Sequence, residues 1–144
     1  MNVSFLLHKA LENTSNQSTY DLTYKKIHSM KEQILNELHL PDTTVEKYMI
    51  LLDNYKYIED LNDLREGSYI RWIHVNNTNN NLNRGALYCN LQINSNEVGI
   101  ICKKIVGSYF TIFNLDEYIF FQKLSDQEII ILNAITNMNN SIQN

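Results

Sequence analysis

Five short segments decide the fold of this chain: SYIRWIHV at 68–75, ALYCNLQI at 86–93, VGIICKKIV at 98–106, SYFTIF at 108–113 and YIFFQKL at 118–124. All of them lie between Gly67 and Leu124, and each is bounded by Gly, Asn, Ser or Asp. Ile, Val, Tyr and Phe favour strands, whereas the boundary residues favour turns. The stretch therefore predicts a small unit of five antiparallel strands.

Helical patterns flank this unit on both sides. Apolar residues recur at helical spacing within 2–11 and again within 20–40, where Pro41 ends the pattern. Two S/T-x-x-E sequences, at 43–46 and 125–128, have the form of a capping box and predict the starts of two further helices. The chain is thus predicted to be α+β, with helices before and after the strands.

The predicted organisation has three parts. Residues 1–60 form a helical N-terminal region, residues 61–124 form a five-stranded antiparallel barrel, and residues 125–144 form a C-terminal helix and tail. The chain has 144 residues, of which 44 % are hydrophobic, and this is enough to bury a core.

The turns set a predicted register. A four-residue loop at 94–97 pairs Ile93 with Val98 and Cys89 with Cys102, and a two-residue turn at Gly107-Ser108 pairs Cys102 with Phe113. In this register both faces of the central strands are apolar. Because exposed apolar sheet faces are rare, we expect the second face to be covered by the chain's own helices or by a partner.

Catalysis finds no support in the sequence. The nucleophile-elbow, phosphate-loop and dinucleotide-binding patterns are absent, the four His residues are scattered, and there is no C-x-x-C pair. Cys89 and Cys102 are interpreted as two buried thiols, with a disulfide or redox pair as the alternative. We therefore predict a protein that is not an enzyme and that needs no metal and no cofactor.

Charge and hydropathy limit the partners and the compartment. The net charge is −4, but it is unevenly distributed: residues 1–66 carry seven Lys or Arg and eleven Asp or Glu, whereas residues 67–124 carry five and three. The sequence shows neither the pattern of a signal peptide nor a membrane-spanning apolar run. We expect an intracellular location, in the cytosol, the nucleus or a virus particle, without membrane association.

Aromatic and cationic residues mix along the strands. Such mixtures can stack bases and hold phosphates, or line a groove for a peptide, although half-buried wall residues of a barrel look the same. The candidate binding residues are Tyr69, Arg71, Trp72, Arg84, Tyr88, Lys103 and Lys104.

The motifs L-x-E-G-x-Y-I-R-W-I at 64–73, L-x-x-G at 82–85 and I-F-F-Q-K at 119–123 resemble SH3-like or Tudor-like small barrels. They are also similar to proteins of large nucleocytoplasmic DNA viruses. This resemblance implies an SH3-like barrel with a binding or structural role in a viral protein, and it implies no catalytic residue.

Two functions are predicted. The first is an interaction or assembly protein, viral and non-catalytic, that binds a protein partner through the barrel, with homo-oligomers also possible. The second is a nucleic-acid-binding barrel that uses Arg71, Arg84, Lys103, Lys104 and Lys123. A salt series separates them, because contacts to phosphate weaken steeply as salt rises.

Overall fold

The computed structural model describes residues 3–12, 23–76 and 79–143. Within these ranges the chain is α+β, as predicted, with four α-helices and with six strands instead of the predicted five. The helices are α1 (Val3–Glu12), α2 (Tyr24–Asn36), α3 (Asp42–Leu51) and α4 (Asp126–Gln143). The strands are β1 (Tyr55–Ile58), β2 (Tyr69–His74), β3 (Ala86–Ile93), β4 (Val98–Lys103), β5 (Tyr109–Ile112) and β6 (Tyr118–Lys123).

The strands form one antiparallel sheet in the order β1-β6-β2-β3-β4-β5. This sheet is open, with β1 and β5 at its edges, so the predicted closed barrel of five strands is not confirmed. The additional strand, β1, lies within the region predicted as helical. Its four residues alternate Tyr-Lys-Tyr-Ile, and they pair with β6 from Tyr55↔Lys123 to Ile58↔Phe120.

The hairpin β3–β4 has the predicted register only near its turn. Ile93 pairs with Val98 and Leu91 with Ile100, but a bulge between Tyr88 and Asn90 then shifts the pairing by one residue. Tyr88 rather than Cys89 therefore lies opposite Cys102. Since an extra residue in one strand reverses the side-chain alternation beyond it, the predicted Cys89–Cys102 pair is wrong.

The hairpin β4–β5 departs from its predicted register by three residues. Cys102 pairs with Phe110 instead of Phe113. The connection is longer than a two-residue turn, because the Lys104 N–H donates to the Ser108 carbonyl across a loop in which Gly107 has φ +73°. An odd shift exchanges the two faces of the strand, so this hairpin also differs in which side chains it buries.

Two hydrophobic clusters occupy the two faces of the sheet. The inner face carries the larger one and joins all six strands through Ile58, Ile70, Trp72, Ala86, Tyr88, Ile100, Cys102, Ile112 and Phe120. The outer face carries the second cluster, in which Ile73, Ile119 and Phe121 pack against Leu35 of α2, against Val45 and Tyr48 of α3, and against Leu52, the C-cap residue of α3. The chain's own helices thus cover the outer face, but only over β1, β6 and β2.

Ion pairs and a cap fix α4 to the sheet. Glu128 is fully buried, and its carboxylate accepts from Lys56 Nζ at 2.7 Å and from the Arg65 guanidinium. The Ser125 N–H donates to Glu128 Oε1 at 3.1 Å, and the Glu128 N–H donates to Ser125 Oγ at 3.1 Å. The capping box predicted at 125–128 is therefore confirmed.

The capping box predicted at 43–46 is wrong. The N-cap position lies two residues earlier, at Pro41, which makes no side-chain hydrogen bond to the helix, and α3 begins at Asp42. Proline is favoured near helix starts because it has no N–H to satisfy, and its fixed φ suits the first turn. Pro41 thus precedes the first turn of α3, whereas α2 ends earlier than predicted, at Asn36 with Glu37 as its C-cap.

Candidate functional site: a tyrosine–lysine row on the outer face

The outer face of β3, β4 and β5 lies beyond the helices. No residue of these three strands belongs to the helix-covered cluster. The registers place one side chain from every strand on a line that crosses the sheet. We call this line the tyrosine–lysine row, and in spatial order it contains Tyr55, Lys123, Tyr69, Leu87, Lys103 and Tyr109.

Cross-strand pairing generates the row. Tyr55 pairs with Lys123, Tyr69 with Leu87, and Leu87 with Lys103, which in turn pairs with Tyr109. Lys123 lies opposite Tyr69, because the antiparallel register that pairs Ile70 with Gln122 extends by one residue in each strand. Directly opposed side chains on one face lie within contact distance of each other. The row is therefore a continuous surface.

Two lysines of the row place their ammonium groups over tyrosine rings. Lys103 Nζ lies 5.5 Å from the centre of the Tyr109 ring, and Lys123 Nζ lies 5.9 Å from the centre of the Tyr69 ring. Cations within about 6 Å of an aromatic ring are attracted to its face. Tyr69 and Tyr109 are 45 % and 64 % exposed, so both rings remain open to a ligand.

Tyr55 lies at the β1 end of the row, and the Arg71 side chain lies near it. Burial raises the pKa of the Tyr55 phenol, and the nearby Arg71 charge opposes this increase. The Arg71 Nε donates to the Asn83 carbonyl at 2.8 Å, which fixes the guanidinium beside the loop between β2 and β3. Gly85 permits this approach, because a Cβ there would lie 2.6 Å from the Ile70 carbonyl oxygen.

The structure divides the seven candidate binding residues. Tyr69, Arg71 and Lys103 share the outer face. Trp72 and Tyr88 instead lie in the inner core, where they are 8 % and 5 % exposed.

The remaining two candidates lie in loops. Arg84 is exposed in the loop before β3, and Lys104 follows β4 with its Nζ 5.8 Å from the Phe110 ring centre. Tyr55 and Tyr109 were not among the candidates. They would have required the β1 pairing and the actual β4–β5 register, for which the sequence has no direct signal.

A cleft lies at the other end of β2. Trp72, His74 and Tyr118 line a cleft of about 530 Å³ together with Asn81 and Asn83. His74 packs edge-on against Tyr118 at 4.7 Å between ring centres.

The mouth of this cleft carries one His–Glu pair. His74 Nε2 lies 3.2 Å from a carboxylate oxygen of Glu117, and both side chains are partly exposed. The cleft has aromatic walls and amide groups, which suit the binding of a planar or cationic group.

Two observations on the described residues concern the cysteines and metal binding. Burial raises the pKa of the Cys102 thiol to about 12, with Cys89 contributing, so Cys102 stays protonated and is a poor nucleophile. Both cysteines are free thiols. Among residues 3–12, 23–76 and 79–143, no group of three His, Cys, Asp or Glu is arranged to hold a metal ion.

Comparison with protein-family models, with curated proteins and with solved structures finds no match. The resemblance to SH3-like viral barrels therefore stays a prediction. Across the described ranges, no helix combines the length and the apolar character needed to cross a bilayer.

Proposed function

We propose that this chain is a non-catalytic binding protein that holds nucleic acid on the tyrosine–lysine row. The five strands β2–β6 form the predicted SH3-like unit in this proposal, since β2 to β5 follow one another as neighbours and β6 returns beside β2. Strand β1 and the helices are additions that cover one side of it.

The composition of the row carries the proposal. Three tyrosines and two lysines share the outer face with Leu87 between them, and Arg71 lies beside them, while no acidic residue belongs to the row. Tyr69 and Tyr109 are exposed, whereas Tyr55 is half-buried against the helix-covered cluster. Rings bind bases by stacking, and ammonium and guanidinium groups bind phosphate. A local basic surface can act in this way although the whole chain carries a charge of −4.

A protein partner, the first of the two predicted ligands, is favoured by a different surface. Ile93 and Val98 form an exposed cross-strand pair at the tip of β3–β4, and Ile105 and Val106 are 78 % and 87 % exposed in the loop after β4. Exposed aliphatic side chains on a hairpin suit an apolar protein surface. These residues lie at the two ends of β4, away from the helix-covered half.

Fluorescence anisotropy tests the nucleic-acid proposal. The probe is a labelled 12-nucleotide oligothymidylate, titrated with the protein at salt concentrations from about 50 to about 200 mM. The double variant Lys103→Gln/Lys123→Gln should bind more weakly. Its plot of log affinity against log salt should be shallower by about 1.4, because each lost phosphate contact on a single strand removes about 0.7.

A matched control removes the same charge elsewhere. Lys25 on α2 and Lys47 on α3 are exposed lysines away from the row, so Lys25→Gln/Lys47→Gln should leave both affinity and slope close to those of the wild type. Equal losses of affinity in the two double variants would mean that the net charge of the protein, and not the row, determines binding. No binding by the wild type at about 50 mM salt would overturn the proposal.

In-cell photo-crosslinking tests the protein alternative. A photoreactive amino acid at position 93 is compared with the same residue at position 50, because Ile93 and Ile50 are both 77 % exposed. The alternative requires a defined protein adduct at 93 that is absent at 50 and that disappears with Val98→Lys. Equal adducts at both positions would count against it.

A further inference from the structure

The row contains two similar pairs, each made of one ring and one cation. Lys123 Nζ lies over the Tyr69 ring, and Lys103 Nζ lies over the Tyr109 ring, at 5.9 and 5.5 Å from the ring centres. A nucleotide likewise consists of a flat base and a phosphate separated by one sugar. Each pair therefore offers a stacking surface and a phosphate-binding group at about the separation found within one nucleotide.

Strand spacing sets the distance between the pairs. Tyr69 on β2 and Tyr109 on β5 are three strand positions apart in the sheet, and at about 4.8 Å for each position they are separated by roughly 14 Å. The whole row crosses six strands, or five such spacings, which is roughly 24 Å. Leu87 lies between the pairs and provides an apolar floor.

We infer that the row binds a single-stranded polynucleotide that runs across the strands, with bases stacked on Tyr69 and Tyr109 and phosphates paired with Lys123 and Lys103. This inference rests on the proposed function and specifies the form of nucleic acid. Because every base has a flat face, recognition is tolerant of sequence. The row presents no side-chain amide or carboxylate that could read base edges.

A duplex fits the row less well than a single strand does. Its base faces are already stacked on each other, so the tyrosine rings could meet only its backbone or groove edges. Proteins that read a duplex groove insert a helix or a ribbon into it, whereas the row is set across a sheet. The two exposed rings therefore contribute to binding only when the bases are free.

The sugar should matter little. Distinguishing RNA from DNA requires a polar group placed against the 2′-hydroxyl. The polar groups of the row are the lysine ammonium groups and the tyrosine hydroxyls, and the lysines are assigned to phosphate. We therefore expect oligothymidylate and oligouridylate of 12 nucleotides to bind within about threefold of each other.

Ring substitutions test the stacking contacts. Tyr69→Leu and Tyr109→Leu remove a ring but keep an apolar side chain, and each should weaken binding of the 12-nucleotide oligothymidylate about tenfold. Tyr69→Phe and Tyr109→Phe keep the ring and should bind within about twofold of the wild type. A blunt hairpin duplex of the same length should bind at least tenfold more weakly than the single strand.

The outcomes separate this inference from the proposed function. If single strand and duplex bind equally, and if Tyr→Leu has no effect while Lys103→Gln/Lys123→Gln does, the row is a phosphate-binding surface without stacking and the inference fails alone. If neither nucleic acid binds, both fail. Where a leucine variant does not fold, photo-crosslinking of the wild-type protein to 5-bromouracil oligonucleotides decides instead. The adducts should map to Tyr69 and Tyr109, and adducts confined to other residues would overturn the inference.

Discussion

The two halves of the sheet differ on their outer faces. Over β1, β6 and β2 most of this face is apolar and lies under α2 and α3, with Phe121 fully buried, and only the strand ends carry Tyr55, Lys123 and Tyr69 of the row. Over β3, β4 and β5 it carries Leu87, Lys103 and Tyr109, and Tyr109 is 64 % exposed. The covered half (β1, β6 and β2) thus contributes stability, whereas the hairpin half (β3, β4 and β5) and the exposed Tyr69 and Lys123 at the strand ends of the covered half remain available for binding.

This difference arises because α2 and α3 cover only three of the six strands. Helices α2 and α3 contribute Leu35, Val45 and Leu52, which are enough to cover three strands. Lys31 of α2 is almost completely buried, and its Nζ donates to the Leu52 carbonyl at 2.8 Å, which fixes α2 to the end of α3. Burial lowers the pKa of this lysine, and Asp53 opposes that effect. The helix pair is therefore held over the covered half.

The largest expected difference in the free energy of unfolding comes from removing one ring from each half. Phe121→Ala deletes a fully buried ring under the helices and should lower the free energy of unfolding by about 4 kcal/mol. Tyr109→Ala deletes a ring from the uncovered half of the same face and should change it by about 0.5 kcal/mol or less. Urea denaturation followed by fluorescence of Trp72, the single tryptophan, measures both. Similar losses would mean that the hairpin half also contributes to stability.

The second prediction concerns the buried charges at the edge of the covered half. Glu128→Gln removes the carboxylate that Lys56 and Arg65 share and leaves their charges without their common partner. We expect a loss of about 3 kcal/mol, because removing one member of a buried ion pair costs more than the pair itself contributes.

Asp126→Asn is the control for this prediction. Asp126 is an exposed acid in the same first turn of α4, and its replacement should cost about 0.5 kcal/mol through the helix dipole. Urea denaturation of both variants makes the comparison. Equal losses would contradict the assignment of Glu128 as the charge that fixes α4 to the sheet.

The third prediction tests whether water is excluded from the inner face of the hairpin half as it is from the core under the helices. The folded state raises the pKa of Cys102 from 9.0 to about 12, so the unfolded chain releases this thiol proton at lower pH. The free energy of unfolding should therefore fall as the pH rises above about 9, and the titration of Cys102 should lower it by about 2 kcal/mol at about pH 10.5.

Cys102→Ala isolates this contribution from the tyrosines that titrate in the same range. The variant is less stable at neutral pH because it leaves a small cavity, but its difference from the wild type should narrow by about 2 kcal/mol between about pH 8 and about pH 10.5. Ile100→Val, a truncation without a titratable group on the same strand, should keep a constant difference. Parallel curves for Cys102→Ala would mean that water reaches the thiol.

The sequence predicts the strands of the hairpin half better than their faces. Segment 86–93 is a strand as predicted, and the strand predicted at 98–106 is present but ends at Lys103. The pair Ile93↔Val98 is confirmed, because turn chemistry fixes the pairing close to the loop. The bulge at Cys89 and the loop at 104–108 have no comparable signal, and each shifts the register by an odd number of residues. Odd shifts exchange faces, and for this reason the sequence placed Tyr88 and Tyr109 wrongly relative to their neighbours.

The candidate site shows the same limit. Tyr69, Arg71 and Lys103 could be selected from residue type, and the structure places them on one face. Their alignment with Tyr55, Lys123 and Tyr109 depends on β1, a four-residue strand in a region that otherwise reads as helical, and on long-range pairing with β6. Residue types can be read from the sequence, but which strands are neighbours depends on the packing of the whole sheet.

The smallest predicted effect compares two capping boxes that look alike in the sequence. Ser125→Ala removes the hydroxyl that accepts from the Glu128 N–H at 3.1 Å and also a contact from Arg65 at 3.3 Å, so it should cost about 1 kcal/mol. Thr43→Ala should cost about 0.3 kcal/mol or less, because α3 starts at Asp42 and the N-cap position belongs to Pro41. Thermal and urea denaturation of the two variants measure the difference. A cost of about 1 kcal/mol for Thr43→Ala would mean that the Thr43 hydroxyl caps α3 after all, and that the helix pair over the covered half is fixed in the same way as α4.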